Sequence, residues 1–311
     1  MKRKRFKFFL IGLLSSLVFT FAVNGAEKSL ETFFMEQVYF PPNTFLAQVS
    51  RENLVKKTPF DFNIEAKSAL VLKIEADGTQ TVIFDKDSDQ PLPIASLTKL
   101  MTVLVSLESQ PLSQKIEITS QIISQQGNSG SLKVGERISV KELIKMALVE
   151  SSNDAADALA EISGREDFVT LMNLKAKEIG LRSTRFSTPT GLEAEDNFST
   201  ARDLANLVIL ILKRYPLILD ISSQSSITIL SENEKPHHIA FNTNDLLAVG
   251  EIQDLKIVGG KTGYTDEAGG CIILVLKDQD NNYFINIILG TGLRESRFSE
   301  MKKLIEAFNV R

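Results

Sequence analysis

The sequence has no tryptophan, one cysteine, two histidines and, before Glu27, no acidic residue. The lone Cys271 excludes an internal disulfide framework and any zinc centre built on cysteines. It lies in the apolar run "GGCIILVL" and reads as a buried core thiol. The two histidines are adjacent, His237-His238, in a polar segment after Pro236 that reads as a turn. With no Gly-x-Ser-x-Gly elbow, a Ser-His-Asp hydrolase finds little support. Basic excess is also missing, since 35 Lys and Arg stand against 39 Asp and Glu. Lys2, Arg3, Lys4, Arg5 and Lys7 all precede the first acid, so the net charge of −4 becomes −9 once these five are set aside. The body thus lacks the clustered cations that phosphate contacts require, and nucleic acid is not an expected partner.

What is present begins with a leader. After the basic cluster, Phe8 to Val23 is apolar or small except for Ser15, Ser16 and Thr20. A basic stretch followed by an apolar one reads as an export signal. The apolar length falls between a cleaved signal and a spanning helix, so residues 1–26 are a signal peptide or an N-terminal membrane anchor. In both cases the expected location is extracytoplasmic: the periplasm or the outer face of the cytoplasmic membrane. Residues 27–64 lack periodicity, contain Pro41-Pro42 and Pro59, and read as a stalk or linker. The rest, 65–311, has the 3.6- and 2-residue patterns of one catalytic-sized domain.

Within it, alternating Leu70, Leu72, Ile74 and Ala76, then Asp77-Gly78 and Thr81–Phe84, predict a hairpin. Helices are predicted over about 96–107, from 139, and over about 154–162, 166–179 and 200–214, with Ser139-Val-Lys-Glu142 as a capping box. Strands follow over about 225–230, 255–259, 270–277 and 283–289, and an amphipathic helix over about 295–308. Strands at both ends with helices between predict an α+β fold: one antiparallel sheet from the N- and C-terminal segments, with an inserted helical region.

Three short patterns occur in order: Ser96-Leu97-Thr98-Lys99, Ser151-Ser152-Asn153 and Lys261-Thr262-Gly263. Singly the first two are weak, because Ser299-Glu-Met-Lys302 and Ser231-Glu-Asn233 repeat their spacing. Alone, Ser96 is an ordinary helix cap, Lys99 a surface charge and 151–153 a polar loop. Together they supply a hydroxyl at a helix start, an amine one turn on, and a second cation. For Lys99 to take the Ser96 proton, burial or a second cation such as Lys261 must lower its pKa from about 10.4. Gly263, just before a strand, lets a substrate backbone lie alongside.

The set resembles that of the low-molecular-mass penicillin-binding proteins, specifically the serine D-alanyl-D-alanine carboxypeptidases, peptidase family S11. The likeness extends through "PIASLTKLMTVLVSLE", "LKVGERISVKELIKMALVESSNDAADALAE", "FSTPTGLE", "FSTARDLA" and "VGGKTGYTDEAGGC". It implies a β-lactamase/transpeptidase-like fold and a serine peptidase that needs no cofactor or metal. By the same resemblance Ser96 is the acylated nucleophile, Lys99 its base, and Ser151 a proton relay. Asn153 holds Lys99 and the substrate amide, Lys261 and Thr262 receive the terminal carboxylate, and Gly263 and Tyr264 line the substrate. The Ser96 and Tyr264 amides form the oxyanion hole, and Arg294 or Arg297 assists the carboxylate.

The implied partners are peptidoglycan stem peptides ending in D-Ala-D-Ala, β-lactam inhibitors and, if the leader is uncleaved, the membrane. Ser152 stands where the family commonly has glycine, which predicts a narrower cleft. Alternatives are a D,D-endopeptidase cutting cross-links and a non-catalytic β-lactam or peptidoglycan binder. A class A β-lactamase is disfavoured, because no Glu-x-x-Leu-Asn pattern occurs and Glu193 and Glu195 follow a different turn.

Overall fold

A computed structural model describes residues 62–124, 131–192 and 196–308. The predicted leader, nearly all of the linker, and Glu193 and Glu195 lie outside them. Among the described residues no helix is long and apolar enough to cross a membrane.

The main sheet joins the two ends of the domain. Strands β1 (Ser68–Ile74) and β2 (Gln80–Lys86) form the predicted hairpin, with Gly78 at φ +90° in its turn. The hairpin adds to three C-terminal strands, and the two-residue strand Glu251–Ile252 closes the far edge. Among the described residues, six α-helices and a second hairpin lie between the two ends. The helices are α1 (Lys99–Ser109), α2 (Val140–Leu148), α3 (Asn153–Glu161), α4 (Arg165–Glu178), α5 (Ala201–Arg214) and α6 (Pro216–Ser222). The second hairpin pairs β3 (Ser226–Leu230) with β4 (Pro236–Phe241). The main sheet then resumes with β5 (Leu255–Thr265), β6 (Gly269–Lys277) and β7 (Tyr283–Thr291), and α7 (Ser296–Phe308) follows. Its order is β2-β1-β7-β6-β5, antiparallel throughout, with Ser68 opposite Leu289.

Period-two alternation puts each sheet face in its own core. Leu70, Leu72, Ile273, Val275, Ile285 and Ile287 face the inserted helices. Val71, Ile272, Leu274, Leu276 and Ile288 face Phe298, Met301, Leu304 and Ile305 of α7. Helix α1 is buried from Lys99 to Ser106, as a helix apolar nearly all round must be. Ser139 caps α2 through Glu142 N–H at 3.4 Å. The reciprocal half of the capping box is not made: the Glu142 carboxylate turns instead to Leu230 N–H (2.9 Å) and Lys145 (2.7 Å).

Three predictions need correction. The turn expected at His237-His238 is part of strand β4, because the chain reverses earlier, at 231–235. The helix predicted over about 200–214 does end at Arg214, before Tyr215-Pro216, but the sequence pattern predicts no helix beyond it: Pro216 opens α6, in whose first turn its missing N–H costs nothing. Lys261-Thr262-Gly263, expected between the strands at 255–259 and 270–277, lies within β5, which runs on to Thr265 and pairs the three with Ile273, Ile272 and Cys271. Cys271 is fully buried, as expected.

Candidate active site

The predicted helix start at Ser96 is a 3₁₀ turn, Ala95–Thr98, that runs directly into α1. Ala95 adopts φ +48°, a left-handed conformation costly for a residue with a Cβ. The difference matters because residues three apart eclipse in 3₁₀ geometry. Lys99 Nζ therefore sits directly over Ser96 Oγ, at 2.8 Å. Gly191 backs the turn at φ +83°, and a Cβ there would fall 1.9 Å from Ala95 O. The same segment supplies Thr190 O, which accepts from Lys99 Nζ at 2.9 Å.

Asn153 is the first residue of α3 and its Oδ1 accepts from Lys99 Nζ at 2.7 Å. Ser151 precedes it at φ +62°. Ser152 does not narrow the cleft: it is fully buried and its Oγ caps α3 by accepting from Ala155 N–H at 3.1 Å. On the facing strand, Lys261 Nζ donates to Ser151 Oγ (2.9 Å) and to Thr262 O (3.0 Å). Thr262 Oγ1 shares a 2.6 Å hydrogen bond with Thr243 Oγ1. At Gly263, a Cβ would lie 2.9 Å from Ile94 O and 3.0 Å from Ser96 N, so only glycine brings β5 this close to the turn. Tyr264 is partly exposed and donates its hydroxyl to Asp266 at 3.1 Å.

Both lysines are buried. Burial lowers Lys99 to about 7, with Asp157 pulling the other way. The second cation considered from sequence is thus not the main cause. Burial also holds Lys261 well below the ordinary lysine value, helped by repulsion from Lys99 and Arg297. Lys99 has three oxygen partners, so a neutral amine can give two N–H to Asn153 and Thr190 and turn its lone pair to the Ser96 hydroxyl.

Of the two arginines left open, Arg297 is buried and its Nη1 approaches Gly263 O at 3.4 Å, whereas Arg294 is exposed and paired with Glu295. Sequence reasoning missed Thr190, Gly191, Thr243 and Asp157. Asp157 is buried one turn beyond Asn153 on α3, and both its oxygens lack a hydrogen-bond partner among the described residues. The -Asn153-Asp-Ala-Ala-Asp157- spacing was the available signal, because a carboxylate four residues on shares the asparagine's face.

The family model described as D-alanyl-D-alanine carboxypeptidase matches residues 53–292. D-alanyl-D-alanine carboxypeptidase DacF of Bacillus subtilis is 36% identical over 249 residues, 78% of this chain. The match covers 61% of that relative, so the chain spans about three fifths of its length. A D-alanyl-D-alanine endopeptidase of Escherichia coli is 33% identical, over 74% of this chain and 73% of its own. Penicillin-binding protein D2 of Listeria monocytogenes, solved with ampicillin bound, superposes with a TM-score of 0.68 at 30% identity. That superposition covers 79% of this chain and 98% of that one. The fold is accordingly the α+β, β-lactamase/transpeptidase-like fold that the motifs implied. The matched span, which takes in all three motifs and most of the sheet, places this chain in the S11 peptidase family of D-alanyl-D-alanine carboxypeptidases.

Proposed function

We propose that the chain is a serine D,D-carboxypeptidase that removes the terminal D-alanine from peptidoglycan stem peptides through an acyl-enzyme on Ser96. The observation that carries this reading is the buried Lys99, lowered to about 7 and 2.8 Å from Ser96 Oγ. At that pKa about half the lysine is a free base at neutral pH, as a general base requires.

In the proposed cycle Lys99 Nζ takes the Ser96 proton as Oγ attacks the carbonyl carbon of the penultimate D-alanine. The Ser96 and Tyr264 amides hold the oxyanion, a class of donor worth about 2.7–4 kcal/mol each. Ser151, bridged to Lys261, passes a proton to the leaving nitrogen and is refilled by the proton that Lys99 took from Ser96, which returns Lys99 to the free amine. The C–N bond breaks, D-alanine departs and an ester remains on Ser96. Water then attacks the ester, Lys99 accepts its proton and returns it to Ser96 Oγ as the ester C–O bond breaks, so the shortened peptide leaves as its carboxylic acid and the Ser96 hydroxyl is restored. Asn153 keeps Lys99 aimed. Thr262 hydrogen-bonds the substrate carboxylate, and that anion restores the Lys261 charge that burial disfavours. Gly263 and Tyr264 form the edge along which the peptide lies, and Arg297 adds positive potential behind it. β-Lactams acylate Ser96 in the same way and stay attached.

The same reading takes residues 1–26 as the export signal or anchor, 27–64 as the linker and 65–311 as the catalytic domain, acting outside the cytoplasmic membrane. A D,D-endopeptidase is the second reading, favoured by the fuller coverage of the endopeptidase relatives. Labelled penicillin is expected to form a covalent adduct with the wild type and none with Ser96→Ala. Release of D-alanine from a diacetylated Lys-D-Ala-D-Ala tripeptide tests the carboxypeptidase. Normal labelling of the alanine variant overturns the nucleophile, and turnover of cross-linked dimers alone selects the endopeptidase.

A further inference from the structure

Four ionisable side chains outside this machinery form one unbroken chain. His237 Nε2 meets Glu136 Oε2 at 2.8 Å, the two Nδ1 atoms of His237 and His238 meet at 2.6 Å, and His238 Nε2 meets Glu150 Oε2 at 3.1 Å. Neighbours on a strand normally face opposite ways. Here Ile229 pairs with His238 and Leu230 with Pro236, so His237 is the extra residue of a β-bulge. The bulge turns both imidazoles to one side, and each of the four side chains is less than a fifth exposed.

Three hydrogen bonds need three protons, and two neutral imidazoles bring two. If both Nε2 atoms donate to carboxylates, two bare Nδ1 lone pairs face each other. The intact chain therefore holds one proton more than two neutral histidines and two carboxylates. Burial pushes the Glu150 carboxyl up, and the two histidines pull it back. The neighbouring charges have other partners. Glu142 on α2 pairs with Lys145, and Glu232 at the hairpin tip pairs with Lys115 and Arg137.

The chain fastens the hairpin to the segment that carries Ser151. Glu150 immediately precedes Ser151, held at φ +62°. Just beyond β4, Thr243 N–H donates to Val149 O at 3.1 Å and Thr243 Oγ1 pairs with Thr262. We propose that Glu136, His237, His238 and Glu150 are positioning residues that form a proton-dependent latch, closed while it holds its third proton, which sets Ser151 against Lys261. Loss of that proton as pH rises leaves one bond unmade and frees the Ser151 segment. Only the activity readout rests on the peptidase reading.

Glu150→Gln tests this directly, because the amide supplies the third hydrogen without titrating: Nε2–H to His238, His238 Nδ1–H to His237, and His237 Nε2–H to Glu136. Acylation by fluorescent penicillin and the Tm are followed from about pH 5 to about pH 9, the range in which histidine-linked protons move. At the alkaline pH where wild-type acylation has fallen about tenfold from its maximum, Glu150→Gln is expected to have fallen by no more than about twofold. The Tm of the variant is expected to rise relative to wild type with pH, because the amide completes the chain at every pH and the wild-type latch opens as pH rises. His237→Phe, which cannot complete the chain, acylates slowly at every pH. An alkaline fall identical in wild type and Glu150→Gln, or a Tm difference independent of pH, overturns the latch. If no form reacts with penicillin, the peptidase reading fails and the Tm comparison alone still decides.

Discussion

Asp157→Asn separates the cost of a buried carboxylate from its use. Burial raises Asp157 from 3.8 to about 6, against the attraction of Arg165 and Lys99. At neutral pH that rise costs the folded state about 3 kcal/mol, at 1.36 kcal/mol for each pKa unit. That figure is already net of the Arg165 contact at 3.5 Å, and the neutral amide escapes it. The variant is therefore expected to be about 3 kcal/mol more stable at pH 7, a Tm gain of about 6–12 °C for a domain of this size.

The sign follows from the raised folded-state pKa. The penalty is absent below the unfolded value near 3.8 and complete above about 6, so the gain disappears in melts at acidic pH. Function moves the opposite way to intuition. Asp157 pulls the Lys99 pKa up, so its removal shifts the rising limb of penicillin acylation to lower pH. Thermal melts at several pH values and an acylation pH profile measure both effects. A variant that melts below wild type at pH 7, or a limb that stays put or moves to higher pH, refutes the reasoning.

Gly191→Ala, whose Cβ would collide with Ala95 O at a positive φ, is expected to cost about 3 kcal/mol or more and to slow acylation by displacing the Ser96 turn; a melt and a labelling time course check it. Thr262→Val removes a proposed hydrogen bond to the substrate carboxylate and should raise KM about tenfold or more, at about 1.5–3 kcal/mol for a bond to a charged group, with the peptide carboxamide unaffected. Ser152→Gly should change stability by only a few tenths of a kcal/mol and Ser152→Ala by about 1 kcal/mol, with acylation rates unaltered in both, as thermal melts and labelling would show.

The motif residues were legible because each carries its chemistry in its own side chain and comes at fixed spacing. Lys99 meets Ser96 and Asn153, while the contact of Lys261 with Ser151 is one that the sequence does not predict. Sheet strands and amphipathic helices were legible for the same reason that they form, through one-sided apolar periodicity. What escaped depends on contacts distant in sequence or on backbone strain. Nothing local separates a 3₁₀ turn from an α-helix start at Ser96, since Gly191 packs beneath Ala95 from far along the chain. His237-His238 reads as a turn because two polar residues after a proline break the alternation, and a bulge breaks it identically. Choosing Arg297 over Arg294 needed the orientation of α7 against β6 and β7.

Ser68 lies opposite Leu289, and Glu65 N–H reaches Glu300 across 235 residues of sequence, so the sheet closes only when its last strands arrive. During synthesis the serine, its lysine and the asparagine emerge long before β5, which brings Lys261 and Gly263. A chain still growing thus carries the proposed nucleophile without its proposed carboxylate-binding edge. Contacts this distant also slow folding, because the entropy of closing the loop is lost before any pairing compensates for it. On the proposed function, the topology delays reactivity until the whole domain exists, a safeguard for an enzyme proposed to be made on one side of a membrane and to act on the other.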